Sequence, residues 1–254
     1  MTVRLYAMTC GWITLPRGMF LAGDEGELKV PVPVYLIEHD RGRVVYDSGL
    51  SLAVQKDAAA YLGPRGGIFK VAYGQGEEVA ARLAALDADA GKVDTLVLSH
   101  LHWDHAGGTA QIPNARIVVQ GAEWDYAASL DDPFARGYKP AEYDCGHDVR
   151  RVEGEHDLFG DGSVVCLPTP GHTPGHQSLR VRLASGEVVL AGDACYLCKT
   201  LDTFQAPINS WDKDIQLATL KKLRGLRDAG TRVFYGHDPE FWSTVPHDTR
   251  TSIA

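Results

Sequence analysis

The segment His100-Leu101-His102-Trp103-Asp104-His105 limits what this chain can become more than any other stretch. At average residue frequencies, four such specified positions in one window occur by chance in roughly one chain of this length in ten thousand. The segment follows residues 94–99, a short apolar run that reads as a strand. Side chains alternate along a strand, so His100 and His102 can point to one side of its end. Asp104 and His105 lie at the turn toward the next helix and can face a different point. That layout suits two neighbouring cations better than one.

Three more strand ends carry residues of the same kind. Gly171-His172-Thr173-Pro174-Gly175-His176 is a glycine-bracketed turn after residues 164–167, Gly192-Asp193 follows the apolar residues 188–191, and Gly236-His237 follows residues 232–235. Six of the ten histidines fall in these motifs, which a scatter of unrelated surface and core histidines does not explain. Neutral imidazole and carboxylate are ligands for zinc or a similar divalent ion. The lack of cysteine in the set argues for an open catalytic site over a closed structural one. Five histidines and two aspartates exceed the needs of one tetrahedral ion. They match two ions roughly 3.5–4 Å apart that share a carboxylate and a hydroxide.

Between these points the chain alternates strand and helix patterns. Residues 32–37 and 43–46 read as a hairpin, 115–120 and 177–183 as further strands, and 77–86, a stretch from Ala122, and 215–226 as helices. The alternation predicts a layered α/β protein with mixed sheets, and no Pro/Gly/Ser linker divides residues 1–254, so a single domain is expected. Residues 14–30 and 129–147 look irregular, as lids often do.

Charge and composition exclude several classes. A formal net charge of −8 disfavours a nucleic-acid partner, and Lys221, Lys222, Arg224 and Arg227 sit at the spacing of a solvated helix face. Arg4, Thr9, Cys10 and Gly11 interrupt the N-terminal apolar residues, unlike a signal peptide, and no run is long enough to span a bilayer. A cytoplasmic protein without a membrane partner is expected. Cys195 and Cys198 have C-x-x-C spacing without a second pair, which reads as inert, buried thiols.

Taken together, these motifs resemble the metallo-β-lactamase superfamily and, within it, the N-acyl homoserine lactonases that degrade quorum-sensing signals. The resemblance runs from Asp47-Ser48-Gly49 through His100 to Gly108, the turn from Gly171 to Leu179, and Asp193-Ala194-Cys195-Tyr196, to Gly236-His237-Asp238. It implies an αββα sandwich of two mixed β-sheets flanked by helices. It also implies that His100, His102 and His172 hold one zinc ion and Asp104, His105 and His237 a second, with Asp193 bridging. The superfamily motif implies metal-dependent hydrolysis without fixing the substrate. The lactone assignment rests on the His172 turn and on Tyr196, three residues past the bridging aspartate, where lactonases place a tyrosine at the substrate carbonyl. Trp103 and Cys198 depart from the family pattern.

The implied reaction is attack of a metal-bridging hydroxide on a lactone carbonyl, with Tyr196 stabilising the oxyanion and Asp104 carrying a proton to the leaving oxygen. For Tyr196 the alternative is a core tyrosine with a bonded hydroxyl. Asp47 and His176 read as supports beside the ligands. Met19, Phe20, Ile68, Phe69, Phe134 and Tyr138 either line an acyl groove or cap a core or a homodimer contact. Rival functions are hydrolysis of another lactone or a thioester, and non-catalytic metal binding. Against a glutathione thioesterase, only Arg250 follows His237 as a basic residue.

Overall fold

Alternation along the strands builds two cores on the two faces of one sheet. In β2 (Glu27–His39), Tyr35 and Ile37 join one buried cluster while Val34 and Leu36 join another; in β3 (Gly42–Tyr46), Val44 and Tyr46 separate from Val45 in the same way. Residues buried on both faces are what a sheet covered on both sides requires. The computed structural model describes residues 2–254.

The larger sheet has seven strands. They are β1 (Arg4–Pro16), β2, β3, β4 (Lys70–Ala72), β5 (Thr95–Val97), β6 (Arg116–Gln120) and β7 (Val149–Val152), in the order β4-β1-β2-β3-β5-β6-β7. Antiparallel pairing from β4 to β3 gives way to parallel pairing from β3 to β7. The smaller sheet contains β8 (His156–Asp157), β9 (Val164–Pro168), β10 (Gln177–Leu183), β11 (Gly186–Leu190) and β12 (Arg232–Phe234), in the order β12-β11-β10-β9-β8. Its β11–β12 pair is parallel and the rest antiparallel. Tyr35, Tyr46, Val97 and Val118 from the large sheet meet Val164, Leu179, Val188 and Phe234 from the small one. Val79, Leu83 and Ala127 from helices cover the outer face of the large sheet, and Leu220 and Leu223 that of the small sheet. The result is the αββα sandwich.

The structure adds strands to the sequence reading. β1 was hidden because its register shifts between Thr9 and Trp12, where Gly11 has φ 105°, so the alternation breaks in mid-strand. Of the stretch 14–30 expected to be irregular, only residues 17–26 lie outside β1 and β2. Residues 129–147 do form a loop with two short helical turns, Phe134–Arg136 and Pro140–Tyr143. This loop is tied to the histidine segment: Trp103 N donates to Gly137 O at 2.9 Å, and His102 pairs with Tyr138 in an isolated bridge. No described helix is long and apolar enough to cross a membrane.

Candidate active site

All seven ligand-type residues singled out from the sequence meet at one edge of the sandwich. His100 and His102 lie just beyond β5, and Asp104 and His105 lie on the short helix Trp103–Ala106 that follows. His172 stands on the β9–β10 turn, Asp193 beyond β11, and His237 beyond β12. Two groups result, each compact enough to hold a metal ion: His100, His102, His172 and Asp193, and Asp104, His105 and His237. In the first, His102 Nδ1 lies 2.9 Å from His100 Nε2 and 3.0 Å from His172 Nε2. Asp193 joins the two groups. Its Oδ2 is 3.2 Å from His172 Nε2, while its Oδ1 is 3.2 Å from His105 Nε2 and 3.1 Å from His237 Nε2.

Close glycine packing sets this geometry. A Cβ on Gly236 would run into the carbonyl oxygen of Gly192, so only glycine lets the strand end bearing His237 lie against the turn bearing Asp193. Next to that contact, Gly236 N donates to Cys195 O and His237 N to Tyr196 O.

Partners behind the imidazoles aim them. His237 Nδ1 lies 2.8 Å from Pro31 O; a carbonyl only accepts, so the proton sits on Nδ1 and the Nε2 lone pair faces the site. Asp47 accepts bonds from Ser99 N, Ser99 Oγ and His105 Nδ1, which fixes His105 in the same sense. Asp47 is therefore a support, as the sequence reading held. His176 belongs to neither group; its Nδ1 lies 3.0 Å from Thr169 Oγ1.

Electrostatics favour cations here. Burial pushes His100 and His102 well below the usual imidazole range, lowers His172, and takes His176 down to about 3. These rings are neutral and offer lone pairs. Burial would do the same to His105 and His237, but the Asp193 carboxylate outweighs it and raises both. Asp193 itself stays ionised despite its burial, because His105, His237 and His172 surround it. His105 Nε2 and Asp193 Oδ1 are buried and make no hydrogen bond, although they are 3.2 Å apart. The pair leaves their directional hydrogen-bonding capacity unused, and a divalent cation ligated by both would satisfy it. The donor set therefore fits two metal ions.

A cavity of about 540 Å³ opens over both groups, reaching His102, Asp104, His172, Asp193 and His237. Met19, Phe20, Phe69 and Tyr138 line it, and Phe20 and Tyr138 also belong to the buried core. Ile68 and Phe134 do not: Ile68 is exposed, and Phe134 packs behind the wall on Tyr61 and Arg65. Tyr196 is buried and faces the cavity. Its hydroxyl accepts from Asn209 Nδ2 at 2.9 Å, lies 3.1 Å from His172 Nδ1, and forms part of the cavity wall. Sequence reasoning missed Asn209, Arg65 and Glu123, which reach the site from distant segments without any local motif. Cys195 is buried as expected, but Cys198 is half-exposed and lies 3.6 Å from Asp202.

The sequence model of the metallo-beta-lactamase superfamily matches residues 29–237. The chain is 33% identical to N-acyl homoserine lactonase AttM of Rhizobium johnstonii, covering 95% of each chain. It is 28% identical to N-acyl homoserine lactonase AiiA of Bacillus thuringiensis subsp. kurstaki, covering 84% of this chain and 83% of the relative. Among solved structures, it matches an N-acyl homoserine lactone hydrolase with the product N-hexanoyl-L-homoserine bound at the catalytic metal center, with a TM-score of 0.89 and 26% identity over 100% of both chains. Strand order, ligand geometry and these matches agree: the chain belongs to the metallo-β-lactamase superfamily and, within it, to the N-acyl homoserine lactonase family.

Proposed function

We propose that this protein is a dinuclear zinc hydrolase that opens the lactone ring of N-acyl homoserine lactones. The observation that carries the proposal is Asp193, which turns one oxygen to each ligand group beneath the cavity that Tyr196 lines. His100, His102 and His172 would hold one ion, Asp104, His105 and His237 the other, with Asp193 shared. Bound there, the ions supply a water acidified toward neutrality and a Lewis acid for the lactone carbonyl.

The chain's own residues do the rest. Tyr196, held by Asn209, donates its O–H to the carbonyl oxygen on which negative charge develops. Burial raises its pKa well above the usual phenol range, with Asp193 adding to the effect, so the proton needed for that bond is retained. Asp104, on the cavity wall and partly exposed, takes the proton of the attacking water and passes it to the ring oxygen as the C–O bond breaks. Met19, Phe20 and Phe69 bury the acyl chain, and the cavity volume lies within the ordinary range for a small ligand. Water adds across the ester bond, giving an N-acyl homoserine carboxylate, a free hydroxyl and one proton.

Proton release on adding N-hexanoyl homoserine lactone to zinc-loaded protein tests the reading. Rapid turnover supports it; thioester cleavage without lactone cleavage defeats it. The five free cysteines support the expected cytoplasmic setting.

A further inference from the structure

Glu123 is fully buried on the helix Gly121–Ala128, and among the described residues no basic side chain pairs with it. Its three hydrogen bonds all leave its own helix. Oε1 accepts from Leu101 N at 3.1 Å and Tyr138 Oη at 2.9 Å, and Oε2 accepts from Gly175 N at 3.2 Å. A glutamate this close to a helix start commonly reaches back to cap it, and this one does not.

Each donor adjoins the site. Leu101 stands between His100 and His102. Gly175 belongs to the turn that carries His172, and a Cβ there would run into Glu123 N, so the turn rests directly on the helix start. Tyr138 belongs to the loop that forms the cavity wall, and its ring packs edge-on against His102 with centroids 4.6 Å apart. Three segments distant in sequence are thus fastened to one carboxylate. A buried carboxylate without a counter-charge is costly, and its hydrogen bonds offset that cost only while all three segments stay in place.

We infer that Glu123 is a positioning residue, which holds His100, His102 and His172 in ligating arrangement and couples the cavity wall at Tyr138 to them. The inference rests on the reading of these histidines as metal ligands. All three donors present hydrogen to Glu123, so an amide in its place must turn its own N–H₂ toward at least one of them.

Zinc titration of chelator-stripped protein against a chromogenic competitor tests this. Wild type should bind two ions. Glu123→Gln should bind one of them about 10–100-fold more weakly, the scale seen when groups supporting metal ligands are lost, while the other keeps its affinity. The metal-free variant should melt modestly below metal-free wild type, by the one hydrogen bond it loses, and the loss of affinity confined to one ion is what a purely structural role would not give. Two ions at wild-type affinity in Glu123→Gln would overturn the inference. If that variant fails to fold, Tyr138→Phe, which removes one donor and keeps the ring on His102, is read by the same titration. About fivefold weaker binding of one ion is expected, and unchanged binding overturns the inference. Wild type that binds no zinc would defeat the metal reading itself, a distinct result.

Discussion

At the residue scale, the site depends on where lone pairs and protons sit. Pro31 O fixes the His237 tautomer and Asp47 orients His105, so both Nε2 atoms face Asp193. Tyr196 makes the sharpest prediction. Tyr196→Phe removes one donor from the developing oxyanion and leaves the seven ligand-type residues in place. The expected outcome is a fall in kcat of about 10–100-fold, smaller than for a site where such donors act alone, with zinc content and KM little changed. Steady-state kinetics with metal analysis of the same sample check this; unchanged kcat would remove Tyr196 from the mechanism. The ligand-type residues were legible in the sequence because each sits in a short motif at a strand end. Glu123, Asn209 and Arg65 were not, since their partners lie many positions away and only the fold brings them together.

Among the elements, the strands supply rigid ends and the loops supply the wall of the cavity. Alternation along β2, β3 and β10 was readable, whereas the bulge in β1 erased it there, and β8 is too short to show a pattern. Behind the wall, Glu142 on the turn Pro140–Tyr143 accepts a bond from Tyr61 Oη at 2.8 Å, while Lys139 Nζ lies over the same ring. Burial pushes the Glu142 carboxyl up from 4.5 to about 7. A carboxyl raised on folding keeps its proton in the folded protein after losing it in the unfolded chain. The stability linked to it is therefore full below about pH 4.5 and lost as pH rises through about 7. Relative to Glu142→Gln, wild type should lose about 2 kcal/mol between those limits after allowance for partial solvent screening. Urea unfolding at several pH values checks this; a pH-independent difference between the two proteins would contradict it.

For the whole molecule, the two ligand groups draw on both sheets: β5 leads to His100, His102, Asp104 and His105, while β9, β11 and β12 lead to His172, Asp193 and His237. The sheets also share one core. Residues 1–254 are therefore proposed to unfold as a single domain, with one calorimetric transition that moves up when zinc is added. An ion present at 100 times its dissociation constant contributes about 2.7 kcal/mol. Two separate transitions, or a melting temperature indifferent to zinc, would contradict this. The proposed two-ion lactone opening is tested most directly by following ring opening of N-hexanoyl homoserine lactone while zinc is returned stepwise to stripped protein. Negligible turnover without metal and full activity at two ions per chain are expected. Rapid lactone opening by metal-free protein, or two bound ions without any lactone turnover, would contradict it.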